Sequence, residues 1–334
     1  MLELSIIIVN WNSADYVLKC IQTIKEQTLD TDYEIIVVDN ASFDGCRDRL
    51  SDLHPDVIFI QSQYNLGFAR GNNLGAKYAS GSVLLFLNPD TEVRNNAIDR
   101  LFRCIQSLPD SGALGGKLLN SDGSIQTSCV QPFPTILNQL LDAEIFRHWF
   151  PHSKLWGNRA IFENVNGPVE VEVISGACLM IKHEVFDIIN AFSTDYFMYS
   201  EDLDLCFKTQ KVGLRNYYCG EAVIIHHGGG SSRRSINKFS AVMMCESVSR
   251  FLRKWRGSSY ANSYRCAMTM SATLRLTFLL LMSARYLDRR KRETFRNAIT
   301  KWFAILRWSI GLEKWVKEYD RLDMPTSDII GSAD

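Results

Sequence analysis

No CxxC pair occurs among the nine cysteines, and their number is odd, so neither a disulfide framework nor a zinc ribbon is encoded. Several of them (Cys20, Cys104, Cys178, Cys206) sit in apolar or helical stretches and read as reduced thiols of a cytosolic protein. There is no G-x-x-x-x-G-K-[ST] run, which argues against a P-loop kinase or ATPase, and no G-x-S-x-G turn, which argues against an α/β-hydrolase elbow. Internal repeats and low-complexity tracts are absent. The start, MLELSIIIVNWN, lacks a basic n-region and a cleavage-like site, and reads as a first strand instead of a signal peptide. A composition of 46% hydrophobic and 22% charged residues excludes a disordered or collagen-like chain, and 334 residues suffice for one large domain or two ordinary ones.

Net charge is also lacking, but the zero hides an asymmetry. Residues 1–230 hold 17 Lys and Arg against 28 Asp and Glu, a net −11, whereas residues 231–322 hold 20 against 6, a net +14. An acidic body joined to a basic tail points to an anionic surface as the tail's partner.

The first half alternates buried strands with helices. Strands are expected at Ser5–Val9, Glu34–Asp39, Val57–Gln61 and Val83–Asn88. Helices are expected from Ser13, as N-cap, to about Gln27, over Cys46–Leu53, over Ala69–Ser80 and over 95–107. This pattern gives an α/β fold with a mostly parallel sheet covered on both faces, whose ligands bind beyond the carboxyl ends of the strands. Residues 110–170, punctuated by Gly115-Gly116 and by Pro132 and Pro134, read as a loop-rich insertion. Strand character returns over Val171–Ile181, a helix opens at Glu201-Asp202, and a last strand, Ala222–His226, leads into His227 and a glycine run.

Polar residues recur where such a fold places a ligand. Asn10 and Asn12 follow the first strand. Asp39 ends the second and can accept the imide N–H of a pyrimidine, or simply form a turn. In NLGFARGNN (65–73), Gly67 and Gly71 permit close backbone approach, the following helix offers N–H groups to an anion, and Arg70 can pair with phosphate; a plain β–α loop is the alternative. Asn88-Pro89-Asp90 offers either a hard oxygen ligand for Mg²⁺ or Mn²⁺ on a diphosphate, or an Asx turn. Asp202 has the chemistry of a general base, though acids at a helix start also answer the helix dipole, the role left to Asp204. His226 or His227 can complete a metal site or touch the diphosphate.

From Asn237 the chain reads as long, basic helices. Ala267–Ala284 carries only Arg275 as a charge and would reach about 27 Å, borderline for a bilayer crossing that Arg275 opposes. Residues 291–318 carry an apolar stripe, Phe295, Ile299, Phe303, Leu306 and Ile310, with Arg292, Arg296, Lys301 and Arg307 on other faces. That suits a helix lying in a membrane interface, or an amphipathic helix packed on the body.

The segments SIIIVNWN, IIVVDNAS, NLGFARGNN, FLNPDT, ISGACLMIKHEVF, YFMYSEDLDLC and IIHHGGGSS, in this order over residues 5–232, resemble the family 2 inverting glycosyltransferases of GT-A fold. The chain looks most like the rhamnosyltransferase-like branch that builds bacterial surface polysaccharides such as O-antigen. The resemblance implies that Asp39 binds the base of a nucleotide sugar, with Asn10, Asn12, Asn65, Gly67, Arg70, Asn88 and Glu201 lining the donor pocket. It implies Asp202 as general base, and Asp90 with His226 on Mg²⁺ or Mn²⁺. Asn88 stands where many members have an acid. The implied donor is dTDP-rhamnose, with UDP-hexoses open, and the implied acceptor is a polyprenyl-diphosphate-linked glycan. The implied organisation is a catalytic domain over 1–235, a membrane-associating helical region over 236–322 and a flexible tail over 323–334. Such an enzyme works in the cytoplasm, peripherally on the inner face of the membrane. The rival readings are a nucleotidyltransferase of similar fold and a non-catalytic module binding sugar nucleotides or glycans.

Overall fold

The computed structural model describes residues 2–141, 167–228, 238–282, 289–316 and 329–331. Gly229 to Ser232, the middle of the 110–170 stretch and most of 323–334 lie outside the described residues.

Strands β1 (Leu4–Asn10), β2 (Tyr33–Asn40), β3 (Ile58–Ser62) and β4 (Val83–Leu87) run parallel in the order β3-β2-β1-β4. Their Ile, Val and Leu runs are almost wholly buried, because helices cover the sheet on both sides. The crossovers carry α1 (Ala14–Gln27), α2 (Cys46–Leu53) and α3 (Gly67–Ala76). α3 lies close on β1 because its glycines recur every fourth residue. A Cβ on Gly75 would stand 2.5 Å from Ile7 Cγ2, and one on Gly71 3.1 Å from Val9 Cγ1.

The chain continues through β5 (Thr91–Val93) and α4 (Ala97–Ser107) into β6 (Ser111–Leu119). β6 overturns the expectation of a loop-rich insertion at this point. Its glycine pair punctuates nothing; it lets neighbours press on a buried strand. A Cβ on Gly115 would stand 2.3 Å from Ile174 Cγ2, and one on Gly116 2.6 Å from the Ala222 carbonyl. Then follow β7 (Val130–Gln131), α5 (Ile136–Leu141), β8 (Pro168–Val171), β9 (Val173–Ile174), β10 (Cys178–Lys182), α6 (His183–Ile188), α7 (Glu201–Lys211) and β11 (Arg215–His226). β10 runs antiparallel between β4 and β6, β11 runs parallel to β6, and β5 and β8 both pair antiparallel with β11. β11 begins well before the expected Ala222, because its register on β6 shifts between Cys219 and Val223 and breaks the pattern of one long strand. A short β12 (Ile329–Gly331) closes the β3 edge.

The basic region forms α8 (Phe239–Arg256), α9 (Ser258–Leu281) and α10 (Arg289–Ser309). α8 buries Val242, Val248, Phe251 and Leu252, and sets Phe251 and Trp255 against Phe207 of α7, with ring centroids 5.6 and 4.7 Å apart. α10 is packed on the body through Ala304, Ile305 and Trp308, the last donating from Nε1 to Glu246 Oε2 at 2.7 Å. Two members of the expected stripe, Phe303 and Ile310, are exposed. Among the described residues no helix is long and apolar enough to cross a membrane. The nine cysteines are free thiols.

Candidate active site

The carboxyl ends of β1, β2 and β3 hold the first group. Asp39 is buried, and its Oδ1 accepts from Asn10 Nδ2 at 2.6 Å. Its Oδ2 accepts from Gln61 Nε2 at 2.7 Å and from the Ser42 N–H at 3.0 Å. Asn10 is fully buried, while the exposed Asn12 donates its N–H to Ser42 Oγ at 2.9 Å. Ser13 makes no side-chain cap; Asp44 Oδ2, a full crossover away, accepts the Ala14 N–H at 3.0 Å. Trp11, Phe43 and Tyr64 are exposed aromatics just past the ends of the same three strands. The sequence signal for them is an aromatic within three residues of a polar strand end.

NLGFARGNN opens α3 at the same edge. Asn65 Oδ1 accepts the Gly67 N–H at 3.0 Å. Gly67 has φ +73°, and a Cβ there would stand 2.4 Å from the Phe197 carbonyl, so glycine is required on both counts. Arg70 is half-buried, with Nη2 3.5 Å from the Thr194 carbonyl. Asn73 donates to the Phe192 carbonyl at 2.8 Å and accepts the Phe192 N–H at 3.0 Å, tying α3 to the segment that precedes α7.

Asp90 and His226 come together because β5 pairs with the end of β11, placing Thr91 opposite His226. His226 Nε2 lies 3.3 Å from Asp90 Oδ1 and 3.2 Å from Asn88 Nδ2. Gln126 Oε1, 2.7 Å from Nδ1, can accept an N–H on that side of the ring, which leaves Nε2 facing the carboxylate. A hard oxygen and an imidazole nitrogen facing each other, both largely buried, fit a divalent cation that draws its other ligands from phosphate and water. Among the described residues no third His, Cys, Asp or Glu joins them. His227 is directed elsewhere, with Nε2 3.0 Å from Glu92 Oε1 and Nδ1 2.8 Å from Ser121 Oγ.

Asp202 lies in the first turn of α7. Tyr199 and Ser200, at φ +70° and +66°, set up that turn in a strained left-handed conformation. Asp202 Oδ2 accepts the Gly176 N–H at 2.9 Å, and Oδ1 accepts the Leu203 N–H at 2.8 Å. Burial raises its pKa above the ordinary aspartate value. The turn at 175–177 that meets Asp202 also accepts the Asn88 N–H, at 3.0 Å on the Ala177 carbonyl. One short turn therefore bridges the general-base candidate and the Asn88-Pro89-Asp90 segment. A Cβ on Gly176 would stand 3.1 Å from Phe68 Cζ, which brings the start of α3 to the same place.

Glu201 is buried, and its Oε2 has no hydrogen-bond partner among the described residues. Burial first, and the Asp202 charge second, push its pKa up to about 8. Its contribution to stability is thus complete below the ordinary value of 4.5 and is lost as pH rises toward about 8. Glu201→Gln, uncharged throughout, removes that loss. In melting experiments the variant's Tm relative to wild type is expected to climb between about pH 5 and about pH 8.5. An offset constant with pH would show that Glu201 is not held protonated.

Asp204, expected only to answer the helix dipole, has no exposed surface and is a structural anchor. It accepts from Ser193 Oγ, from Tyr196 OH at 3.2 Å, from Lys254 Nζ at 3.1 Å and from Trp255 Nε1 at 2.6 Å. Ser247 Oγ donates to the Met198 carbonyl at 2.9 Å, and Arg250 Nη1 to the Asp195 carbonyl at 2.9 Å. α8 therefore braces the strained approach to Asp202 along its whole length.

Residues 5–187 match the sequence profile of Glycosyl transferase family 2. The chain is 28% identical over 214 residues to the N-acetylglucosaminyl-diphospho-decaprenol L-rhamnosyltransferase of Mycobacterium tuberculosis, covering 60% of this chain and 68% of that protein. It is 24% identical to the rhamnosyltransferase WbbL of Escherichia coli, over 70% of this chain and 86% of the relative. Among solved structures it superposes on the mannosyltransferase PcManGT from Pyrobaculum calidifontis, in complex with GDP-Man and Mn²⁺. The TM-score is 0.59 at 16% identity, over 93% of this chain and 86% of that one, a likeness of GT-A fold. With that profile covering more than half of its length, the chain belongs to glycosyl transferase family 2 and is a glycosyltransferase.

Proposed function

We propose that the chain moves a rhamnosyl group from dTDP-rhamnose, with inversion, to a hydroxyl of a lipid-linked glycan. The observation that carries the reading is the 175–177 turn, which hydrogen-bonds Asp202 on one side and Asn88 on the other. A base and a diphosphate site facing each other across one turn suit attack from the side opposite the leaving group. The acceptor oxygen bonds to the anomeric carbon as its proton passes to Asp202. The bond from that carbon to the diphosphate breaks, and the electron pair leaves with the diphosphate. Asp90 and His226 would hold Mg²⁺ or Mn²⁺, which supplies positive charge beside the diphosphate. Asp39 would accept the imide N–H of the base once Gln61 gives way, with Trp11, Phe43 and Tyr64 offering faces for stacking. The rhamnosyl donor is supported by the names of the mycobacterial and Escherichia coli relatives, and the polyprenyl-linked acceptor by the mycobacterial name alone.

Thermal shift with a panel of nucleotide sugars tests the donor. At 100 times its dissociation constant a true donor adds about 2.7 kcal/mol. dTDP-rhamnose is expected to raise Tm by a few degrees with Mn²⁺ present, and Asp39→Ala to abolish the rise. A larger rise with UDP-glucose would reassign base and sugar; no rise with any nucleoside-diphosphate sugar would reject the donor class.

A further inference from the structure

His226 ends β11 and His227 follows it. Each ring is held between a carboxylate of the 90–92 segment and an oxygen of the hairpin that follows β6. His226 has Asp90 Oδ1 at 3.3 Å from Nε2 and Gln126 Oε1 at 2.7 Å from Nδ1. His227 has Glu92 Oε1 at 3.0 Å from Nε2 and Ser121 Oγ at 2.8 Å from Nδ1. The first clamp belongs to the proposed cation site, whereas the proposed reaction gives the second no role. Its anchor is firm, because Glu92 is itself paired with Arg94 Nη2 at 2.6 Å. The hairpin is short: Leu119 bridges Ile125, the Gln126 N–H donates to the Leu118 carbonyl at 2.9 Å, and the Asn120 N–H to the Ser124 carbonyl at 2.8 Å. Its exposed turn binds itself through Asn120 Nδ2 on Ser124 Oγ and the Ser124 N–H on Asp122 Oδ1, both at 2.9 Å. Two strands alone make a marginal structure in water. Ser121 ties the tip of this one to the body.

The two clamps select opposite tautomers, since a carbonyl or carboxylate oxygen only accepts. Asn120 Oδ1 accepts from Gln126 Nε2 at 3.3 Å, which turns the Gln126 amide so that Oε1 faces His226. Nδ1–H of His226 then donates to Gln126 and leaves a lone pair on Nε2, where Asn88 Nδ2 donates at 3.2 Å and Asp90 stands. His227 is the reverse: Nε2–H donates to Glu92, and Nδ1 is left to accept the Ser121 hydroxyl. A ring that must present a lone pair to a cation depends on the partner that holds its other nitrogen. For His226 that partner is a glutamine on a hairpin, and the hairpin is fastened through His227.

We propose that Ser121 and His227 are positioning residues for His226: by pinning the hairpin tip they keep Gln126 on Nδ1 and the Nε2 lone pair turned to the cation site. The effect on a cation rests on the transferase reading; the tautomer of His226 does not. The first readout is therefore the ring ¹⁵N spectrum of the metal-free full chain at about pH 8.5, well above the ordinary histidine value, with His226 assigned from His226→Gln. Wild type is expected to show one protonated and one unprotonated nitrogen at His226. Ser121→Ala, an exposed change that should leave Tm close to wild type, is expected to average the two in part, as is His227→Phe. Ser121→Thr, which keeps the hydroxyl, should restore the wild-type spectrum. The second readout is calorimetry of Mn²⁺ with dTDP present. Ser121→Ala is expected to weaken Mn²⁺ by about three- to tenfold, less than Gln126→Ala, because the glutamine is still there. In the Gln126→Ala background it should add less than about twofold, since the hairpin then holds nothing on the ring. An unchanged His226 tautomer in Ser121→Ala, or a loss of Mn²⁺ affinity that adds in full to that of Gln126→Ala, overturns the proposal. Averaged tautomers with Mn²⁺ affinity unaltered in every variant would uphold the positioning and overturn the cation reading instead.

Discussion

Asp202→Asn is expected to lower kcat by about 10²–10⁴-fold while leaving the dissociation constant for the donor within a few-fold of wild type. Amide and carboxylate have the same shape, so the change removes proton acceptance and little else at the site. It disturbs one hydrogen bond as well. The carboxylate accepts from Gly176 N–H and Leu203 N–H on its two oxygens, and an amide can accept on only one. The variant should therefore melt somewhat lower, by the cost of one unmatched donor, about 1–3 kcal/mol. The pH profile separates this from a structural fault. Asp202 must be ionised to act, and burial raises its pKa, so wild-type kcat/KM should rise with pH through a value above the ordinary aspartate range. The residual activity of the variant should lack that rise. Turnover near wild type in Asp202→Asn would remove the residue from the reaction.

What the sequence made legible was local. α1 ends at Gln27 and α2 spans Cys46–Leu53, as the periodicity predicts, because both helices are decided by their own apolar faces. β6 reads as a loop because a glycine pair has the same signature in a turn as in a strand that two neighbours crowd. Ser13 stands at the N-cap position of α1, as expected, but the side chain that caps the helix comes from Asp44, which only the fold brings near. The buried face of α10 is carried by Ala304, Ile305 and Trp308; an alanine contact is invisible to a stripe read from Phe, Ile and Leu. At the site, Asp39, Asp90, Asp202 and His226 each stood out as polar residues at element ends. Their neighbours Gln61, Gln126, Lys254 and Trp255 do not, since a glutamine in a strand or a loop, or a lysine on a helix, carries no signal until a partner distant in sequence is known. The brace from α8 to Asp204 also shows why the basic region cannot be cut away without touching the turn that carries Asp202.

The second large effect is expected at Asp90. Among the described residues, Asp90→Ala leaves His226 Nε2 facing Asn88 Nδ2, and removes the one carboxylate of the pair. Asp90 would hold the cation that supplies positive charge beside the leaving diphosphate, and loss of such a stabilising charge costs about 10²–10³-fold in kcat. His226→Ala should fall in the same direction, and Gln126→Ala, which frees the far side of the ring, should cost about 10–100-fold in metal affinity. The chemistry of the donor set makes a sharper statement. With Asn88 neutral, a cation meets a single protein charge among the described residues, so Mn²⁺ alone should bind weakly and should tighten when dTDP supplies its phosphates; by linkage dTDP should tighten by the same factor. Calorimetry of each ligand with and without the other measures that factor directly. Asn88→Asp, which restores a second carboxylate beside His226, should raise affinity for Mn²⁺ alone and shrink the coupling. Binding of dTDP that is indifferent to Mn²⁺, together with full transfer in the presence of chelator, would leave Asp90 and His226 as a structural contact that holds the end of β11 on β5.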